Sequence, residues 1–328
     1  MRKMATVIDG GFATQLTQHV GDKVDGDPLW SARFNATNPA AVKAVHVDFL
    51  EAGAEIIRTN TYQASIDNYK KHLGISDEDA IALLRSTVGY AQEARDDFLR
   101  KTEKDEKPRI FGSIGPYGAC LADGSEYSGS YIKSTNPSVI REWHKSRITV
   151  ILEAGVDGLA IETLPSALEG EILLQLMKED FPDVKFWLCF QCRSGSETAA
   201  GENYGEAMRK IWQIVQGDNK MQEKFLAIGV NCLHPDNVAS LFTGLNDPRA
   251  PADSQIPLIT YPNSGETYDV VKKKWIPGRA QEPLESRLEE WIKLGVRYVG
   301  GCCRNYASDI RRIRETLDTL SRQLASTD

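Results

Sequence analysis

Short, almost uniformly apolar segments alternate along this chain with longer segments of helical periodicity. Eight segments rich in Val, Ile, Leu and Phe are predicted strands: 6–11, 55–62, 109–115, 158–163, 185–192, 226–232, 257–263 and 298–303. The longer segments are predicted helices: 39–52, 76–103, 137–154, 165–180, 203–216, 235–243 and 283–294, with a last one from about residue 306. Strands that are hydrophobic on both faces are typical of parallel sheets covered on both sides. Their alternation with helices indicates repeated βα units.

Three junctions between a helix and the next strand resemble one another: FLEAGAEIIRTNT, ILEAGVDGLAIET and WIKLGVRYVGGCC. Gly53, Gly155 and Gly295 stand where a helix C-terminus favours a left-handed residue. This recurrence and the eight strands favour an α/β fold, a (β/α)8 TIM barrel forming a single domain over residues 1–328. An open, doubly wound sheet is the alternative. The Pro- and Asp-rich stretch 246–257 is interpreted as a loop rather than a domain boundary.

The composition narrows the classes of partner. Of 328 residues, 41% are hydrophobic and 26% charged, which is ordinary for a globular protein. The net charge is -7, and apart from the lysine run 272–274 the basic residues are scattered, so no nucleic-acid partner is expected. The chain has no apolar stretch of about 18 residues, which excludes a membrane-spanning helix. The first residues lack the apolar core of a signal peptide, so we expect a cytoplasmic protein with reduced thiols.

Polar residues cluster where the predicted strands end, which is the active-site face of a (β/α)8 barrel. The residues at these ends are Asp9, Gly10 and Gly11 in the first strand, Thr59 in the second, Glu162 in the fourth, Asn231 and Cys232 in the sixth, and Cys302 and Cys303 in the eighth. A closed barrel places the eighth strand beside the first, with the sixth close across the mouth. The three cysteines are therefore expected to converge, although about seventy residues separate the first from the other two.

Adjacent cysteines such as Cys302 and Cys303 are poorly placed for a disulfide, because their Cα atoms lie too close together for a relaxed bridge. Together with Cys232 they match a catalytic zinc site, which holds Zn²⁺ on three side chains and leaves one position open. Such a site would bind a further thiol as thiolate and activate it as a nucleophile. His234 is a possible fourth ligand. The alternative for all three cysteines is a role as small buried hydrophobic residues.

At this point the sequence resembles the homocysteine S-methyltransferase family over essentially its whole length. The matching segments are DGGFATQL (9–16), DPLWSARFN (27–35), IIRTNTYQAS (56–65), GSIGPYGACLADGSEYSGSY (112–131), IETLPS (161–166), GVNC (229–232), YPNSGETYD (261–269) and GGCC (300–303). The resemblance implies a homocysteine-binding barrel with zinc held by Cys232, Cys302 and Cys303. The chain length and the segment DGSEYSGSY are most similar to the branch that uses S-methylmethionine or S-adenosylmethionine.

The resemblance also implies which residues bind the amino-acid substrate. Asp9 and Glu162 match carboxylates near the substrate ammonium, which needs anionic partners. The alternatives are a turn or helix N-cap for Asp9 and an ion pair with an arginine at the barrel rim for Glu162.

Backbone groups at Gly10 and Gly11 are expected close to the substrate carboxylate, since glycine lets a ligand approach the main chain. Thr59 is a candidate hydroxyl contact, with a core-facing orientation as its alternative. Asn231, beside a metal-binding cysteine, is expected to orient the site.

The methyl donor is less well determined. Gln63 stands where the betaine-using branch has an aromatic residue, and the chain ends soon after its last helix, without that branch's C-terminal oligomerisation arm. Both departures argue against betaine, and the second predicts a monomer or weak dimer. Trp30, Tyr127 and Tyr131 could contact a sulfonium through cation–π interactions or pack in their loops instead. The loop 191–203 departs from the family, so donor preference stays open.

The resulting hypothesis is zinc-dependent methyl transfer from S-methylmethionine or S-adenosylmethionine to the thiol of homocysteine, forming methionine. The acceptor thiolate, as fourth zinc ligand, would attack the methyl group in line, and no side chain is needed as a general base. Holding the two reactants together supplies much of the rate. Alternative functions are methyl transfer to selenocysteine or another thiol, and a non-catalytic zinc-binding or redox-sensing barrel, because fold alone does not establish function.

Overall fold

In the computed structural model, helices and strands alternate along residues 4–21, 23–102, 106–247, 249, 251, 254–269, 274–276 and 282–325, which are the residues it describes. The strands are β1 (Thr6–Val7), β2 (Ile56–Arg58), β3 (Arg109–Ile114), β4 (Gly158–Leu164), β5 (Phe186–Phe190), β6 (Phe225–Asn231), β7 (Leu258–Tyr261), β8 (Thr267–Asp269), β9 (Lys274–Ile276) and β10 (Val296–Val299). The α-helices are α1 (Phe12–Val20), α2 (Phe34–Thr37), α3 (Pro39–Glu51), α4 (Ile66–Leu73), α5 (Asp77–Thr102), α6 (Tyr117–Leu121), α7 (Pro137–Glu153), α8 (Ala167–Asp180), α9 (Tyr204–Gln216), α10 (Asn219–Lys224), α11 (Asp236–Phe242), α12 (Leu288–Lys293) and α13 (Ala307–Ala325).

Eight of these strands form one parallel sheet in the order β1-β10-β7-β6-β5-β4-β3-β2. A parallel bridge between Ile8 and Ile56 joins its two ends, so the sheet closes on itself. This confirms the (β/α)8 barrel and rules out the open, doubly wound alternative. The two remaining strands, β8 and β9, pair antiparallel in a hairpin between β7 and α12.

The barrel interior is filled by side chains, as expected for this fold. The rings of Phe111 and Trp187 stack at 4.7 Å between centroids, and the Trp187 indole N–H donates to the Tyr261 hydroxyl at 3.1 Å. A larger apolar cluster lies outside the barrel, where the helices cover the strands. Because the interior is packed, the strand ends at the barrel mouth are the place where side chains can meet a ligand.

All eight predicted strands and all eight predicted helices overlap elements of the structure. Gly53, Gly155 and Gly295 have φ values of +97°, +90° and +109° after their helices, as expected for left-handed C-terminal residues. The sequence did not indicate the shorter helices α1, α2, α4, α6 and α10 or the β8–β9 hairpin. The first predicted strand, 6–11, is shortened to two residues because the chain leaves the sheet and enters α1 at once.

Some sequence predictions fall on residues outside the described part of the chain. The loop 246–257 is described in part, without residues 248, 250, 252 and 253, and of the lysine run 272–274 only Lys274 is described. Among the described helices, none combines the length and apolar character needed to cross a bilayer.

Candidate functional site

Three cysteine sulfurs meet at the barrel mouth. Cys232 directly follows β6, and Cys302 and Cys303 lie in the loop after β10. Their Sγ atoms all lie within 4.8 Å of one another, and those of Cys232 and Cys303 are 3.7 Å apart. The structure therefore brings together the three residues that the sequence predicted as metal ligands, and none of them forms a disulfide.

The spacing of these sulfurs fits a tetrahedral zinc ion. Zinc–sulfur bonds of about 2.3 Å place two ligand sulfurs about 3.8 Å apart, and the sulfurs of Cys232 and Cys303 are 3.7 Å apart. His234, the possible fourth ligand, instead has its Nδ1 3.5 Å from a carboxylate oxygen of Asp236 at the start of α11. Within the described residues, the potential metal-binding group at the mouth consists of the three cysteines.

The three thiols influence each other's ionisation. Hydrogen bonds from Cys232 and then Cys303 lower the pKa of the Cys302 thiol well below its usual value. Hydrogen bonding with Cys302 raises the pKa of Cys232, and hydrogen bonding with Cys232 raises that of Cys303. One thiolate thus forms easily, whereas three packed thiolates require a cation among them. This donor set suits a divalent metal whose binding releases protons.

Backbone hydrogen bonds pin the cysteines to the end of β7. The Cys232 N–H donates to the Tyr261 carbonyl at 3.2 Å, and the Cys302 N–H donates to the Pro262 carbonyl at 2.8 Å. The side-chain amide of Asn305 also donates to the Pro262 carbonyl, at 3.0 Å. The positions of the sulfurs are therefore set by the barrel and not by a mobile loop end.

A cleft beside the sulfurs contains all the predicted substrate-binding residues. It is lined by Asp9, Gly10, Gly11, Thr59, Glu162 and Asn231, together with the three cysteines and residues that the sequence did not single out, such as Arg58 and Ser113. The N-terminus of α1, from Phe12 to Thr14, opens onto the same cleft. The first backbone N–H groups of a helix have no acceptor within it and favour anions. The N–H of Gly11 itself donates to the Asn305 carbonyl at 3.0 Å.

A buried arginine holds the two side-chain carboxylates that are predicted to bind the substrate. The Nε of Arg58 is 2.6 Å from Oδ1 of Asp9, and its Nη1 is 2.7 Å from Oε2 of Glu162. The ion pair considered as an alternative for Glu162 is therefore present, and it includes Asp9. The Nη2 of Arg58 donates to the carbonyls of Gly10 at 2.8 Å and Gly301 at 3.1 Å. One guanidinium thus connects the ends of β1, β4 and β10.

Burial and ion pairing oppose each other in this group. Burial raises the pKa of Asp9 to about 6, although the charge and hydrogen bonds of Arg58 counteract it. Burial also disfavours the charged form of Arg58, but Asp9 and Glu162 hold its pKa well above the usual value. The second oxygen of Glu162 accepts a short hydrogen bond from the Ser113 hydroxyl. Each carboxylate is therefore fixed in orientation before a substrate arrives.

Thr59 and Asn231, two further residues predicted at the substrate site, form hydrogen bonds with other residues of the protein. The Thr59 hydroxyl is 2.6 Å from that of Thr61 and accepts from the Ser113 N–H at 3.1 Å. The Asn231 amide forms two hydrogen bonds with Thr163. Both residues line the cleft, but their polar groups tie strands together.

Aromatic residues form part of the cleft wall. The Tyr127 hydroxyl lies 3.8 Å from the Cys232 sulfur, and the rings of Trp30 and Tyr62 meet edge to face at 6.3 Å. Nothing in the sequence pattern indicates Tyr62 as part of this wall. Tyr131, a candidate sulfonium contact from the sequence, is buried and donates to Glu169 away from this wall. The Gln63 side chain donates to the Pro28 carbonyl at 2.9 Å.

Comparison with known proteins gives consistent matches over nearly the whole chain. The model of the homocysteine S-methyltransferase family matches residues 6–317. A Drosophila melanogaster protein named betaine-homocysteine S-methyltransferase is 45% identical over 315 residues, which are 95% of this chain and 94% of that protein. Homocysteine S-methyltransferase 1 of Brassica oleracea var. italica is 38% identical over 321 residues, 95% of this chain and 93% of the relative.

A solved structure also matches at full length. The metallated form of the homocysteine methyltransferase MmuM from Escherichia coli superimposes with a TM-score of 0.79 and 30% sequence identity, covering 96% of both chains.

Proposed function

Because this chain belongs to the homocysteine S-methyltransferase family, we propose that it transfers a methyl group from a sulfonium donor to the thiol of homocysteine, forming methionine. We further propose that Zn²⁺ is its cofactor and that Cys232, Cys302 and Cys303 bind it. The observation that carries the proposal is the meeting of three cysteine sulfurs within 4.8 Å beside a cleft lined by two carboxylates. Zinc on three thiolates would supply an open position and lower the pKa of a thiol that enters it.

The ammonium of homocysteine is assigned to Asp9 and Glu162. A carboxylate has about four acceptor sites, and Arg58 and Ser113 use only some of those on these two residues. The two carboxylates and the one guanidinium leave one net negative charge facing the cleft. That charge favours a zwitterionic amino acid whose ammonium lies against it.

The carboxylate of homocysteine is assigned to the N-terminus of α1. The residues from Gly11 to Thr14 line the cleft at the point where this helix begins. Unpaired backbone N–H groups and the positive end of the helix dipole stabilise an anion there. Gly10 precedes this turn and also lines the cleft.

The donor is assigned to the aromatic side of the cleft. Trp30, Tyr62 and Tyr127 present ring surfaces there, and such surfaces attract a sulfonium cation. In the reaction an electron pair of the acceptor sulfur forms the new bond to the methyl carbon. The bond from that carbon to the donor sulfur breaks, and its electron pair remains on a neutral thioether. The acceptor thiol releases its proton to solvent as it binds, before the transfer, and we assign no side chain as its base.

The test is a methyl-transfer assay with homocysteine and each of S-methylmethionine, S-adenosylmethionine and betaine, before and after chelation of metal. We expect methionine from a sulfonium donor, loss of turnover on chelation and recovery with Zn²⁺, and no turnover for Cys303→Ala. Unchanged turnover after complete metal removal would contradict the zinc proposal. Absence of transfer from every donor, with thiol loss that follows peroxide, would favour the redox-sensing alternative.

Betaine is the second candidate donor, because the Drosophila relative carries that donor in its name. Against it, Gln63 turns to the Pro28 carbonyl and adds no aromatic surface to the cleft. The ratio of kcat/KM for S-methylmethionine and betaine decides between them. Competition between homocysteine and selenocysteine as acceptors tests the alternative acceptor in the same assay.

We also propose that residues 1–328 form a single domain that works in the cytoplasm as a monomer or weak dimer. The closed parallel barrel supports a single folding unit. Size-exclusion chromatography with light scattering tests the oligomeric state, and limited proteolysis tests the domain. A stable tetramer, or cleavage into two folded halves, would contradict these expectations.

A further inference from the structure

Thr163 has an unusual backbone conformation for its side chain. Its φ is +63°, in the left-handed region that β-branched residues rarely adopt. The pairing of β4 with β5 shifts register between Ile161 and Leu164, so Thr163 lies in a bulge at the end of β4. A bulge adds a residue to one strand and turns a neighbouring side chain. The residue so placed is Glu162, which faces the cleft.

The side chain of Asn231 satisfies the polar groups of this bulge. Its Oδ1 accepts from the Thr163 backbone N–H at 2.8 Å, and its Nδ2 donates to the Thr163 hydroxyl at 2.9 Å. Both residues are buried, with exposed fractions of 0% for Asn231 and 2% for Thr163. A backbone N–H in such a place needs a partner, since an unpaired buried donor is costly. The amide therefore compensates for a strained conformation that the strand ladder does not support.

The same amide lies between the two halves of the site. Thr163 directly follows Glu162, the proposed ammonium partner, and Asn231 directly precedes Cys232, a proposed metal ligand. Cys232 is itself left-handed, with φ of +56°. Two strained residues on β4 and at the end of β6 are thus joined through one side chain, although 68 residues separate Thr163 from Asn231.

We propose that Asn231 is a positioning residue that holds Thr163 in its left-handed conformation and thereby fixes Glu162 relative to Cys232. This inference rests on the proposed function, because it concerns how substrate and metal are held together. Without the amide, Thr163 relaxes toward negative φ and the bulge straightens. Glu162 then turns away from Arg58 and Ser113, while Cys232 loses the fixed residue that precedes it.

Glycine at position 163 should make the Asn231 amide dispensable, because glycine adopts positive φ without a steric penalty. The experiment is a double-mutant cycle with Asn231→Ala, Thr163→Gly and the double variant. Co²⁺ binding to the metal-free chain is followed by thiolate-to-cobalt absorption, and KM for homocysteine is measured on the zinc-loaded enzyme. Urea unfolding of each metal-free variant shows that it is folded.

We expect Asn231→Ala to weaken Co²⁺ binding about 10- to 100-fold, which is usual for residues that orient metal ligands, and to raise KM for homocysteine. Thr163→Gly should change both quantities by no more than about threefold, and the double variant should resemble Thr163→Gly rather than show summed losses. Wild-type Co²⁺ affinity in Asn231→Ala would overturn the proposal, as would fully additive losses in the double variant.

Asn35→Ala is the matched control. Asn35 is also a buried asparagine. Its amide donates to the Asn60 carbonyl at 3.0 Å and the Tyr69 hydroxyl at 2.8 Å, and its oxygen accepts from the Asn60 amide at 2.8 Å. Asn35 does not line the cleft, although its partner Asn60 does. It should lose stability and keep Co²⁺ affinity. If Asn231→Ala does not fold, Thr163→Val removes only the hydroxyl partner and should still weaken Co²⁺ binding. Unchanged affinity there overturns the proposal. A wild-type chain that binds no Co²⁺ contradicts the proposed function instead.

Discussion

The Nε of Arg58 lies 2.6 Å from the Oδ1 of Asp9, and both side chains are buried at the barrel mouth. The backbone N–H of Arg58 donates to the other oxygen of Asp9 at 2.7 Å, so the carboxylate is held from two sides. The opposite arm of the guanidinium meets Glu162. A cation of the protein thus stabilises two carboxylates that would otherwise repel each other in a low-dielectric site. The proposed substrate ammonium would therefore meet carboxylates that the protein has already positioned.

Replacing Arg58 by Gln should therefore damage both stability and substrate binding. Two buried carboxylates lose their counter-charge, and breaking such a pair costs about 3–5 kcal/mol. The carboxylates also lose their fixed orientation. We therefore expect KM for homocysteine to rise about tenfold or more, which corresponds to the free energy lost with one charged hydrogen bond. Urea unfolding and steady-state kinetics measure the two effects.

Arg95→Gln is the control for this prediction. Arg95 is also largely buried and pairs with Asp157 at 3.0 Å, but it lies on α5 and does not line the cleft. It should lower stability and leave KM unchanged. A folded Arg58→Gln enzyme with wild-type KM would contradict the expectation that Arg58 orients Asp9 and Glu162 for the substrate ammonium.

Gly11→Ala should displace the loop that contains Cys302 and Cys303, two of the proposed metal ligands. A Cβ atom at Gly11 would overlap the backbone carbonyl of Cys302, which cannot rotate away as a side-chain tip can. Overpacking of this kind costs about 1–3 kcal/mol, and moving the Cys302 backbone should weaken zinc binding about tenfold or more. Competition with a chromophoric chelator measures the zinc affinity.

Gly89→Ala makes the same chemical change without a clash. Gly89 lies within α5, and apart from its chain neighbours and the backbone of its own helix, no described atom comes within 4 Å of a Cβ placed there. Alanine should stabilise the helix by about 1 kcal/mol, with zinc affinity and activity unchanged. Equal zinc affinities for the two alanine variants would mean that Gly11 does not restrict the loop.

Cys232→Ala should abolish stoichiometric zinc binding. The variant keeps only two of the three cysteines, and the group of potential metal ligands found among the described residues contains no other side chain that could replace the third. We expect zinc content well below one per chain after dialysis and a loss of turnover of about 100-fold or more. Cys192→Ala, at another buried cysteine outside the cleft, should retain one zinc ion. Full zinc occupancy in Cys232→Ala would remove Cys232 from the proposed site.

The barrel was predictable because its signal is local and repeated. Strands such as 158–163 are apolar on both faces, and glycines such as Gly155 mark each return to the sheet. The cysteines were predictable for a related reason: an adjacent pair and a third cysteine each follow a strand, and the barrel brings strand ends together. Both inferences need only the order of elements and their closure.

Other parts of the site depend on geometry that sequence spacing does not reveal. Arg58 is the last residue of an apolar strand, IIR, and only the closed barrel shows that it reaches both Asp9 and Glu162. The hydrogen-bonded pair of Thr163 and Asn231 depends on a bulge in β4 and on the positive φ of Thr163. Threonine rarely adopts a positive φ, so the sequence does not predict this conformation. For Arg58 the sequence did offer one signal, namely a charged residue at the end of an apolar strand.

Burial of His46 should give the stability of the protein a pH dependence that is separate from the proposed metal site. It lies in α3, fully buried, with its ring 5.0 Å from that of Phe12, and neither ring nitrogen has a hydrogen-bond partner among the described residues. Burial lowers its pKa from 6.5 to about 3. The unfolded chain therefore binds a proton at a higher pH than the folded chain does. Above about pH 6.5 His46 is neutral in both states and does not reduce the free energy of unfolding. As the pH falls from 6.5 toward 3, only the unfolded chain binds the proton, and the free energy of unfolding decreases.

His46→Leu should remove this dependence. Between pH 8 and pH 5 the wild type should lose about 2 kcal/mol more unfolding free energy than the variant, because pH 5 lies about 1.5 units below the pKa of the unfolded histidine and above that of the folded one. At pH 8 the variant should be at least as stable, because leucine leaves no unpaired buried polar atoms.

Phe49→Leu, an apolar change in the same helix, should lower stability equally at both pH values. Urea unfolding of the metal-free chains at pH 5 and pH 8 provides the comparison. Parallel stability curves for the wild type and His46→Leu would mean that His46 is protonated, or hydrated, in the folded protein.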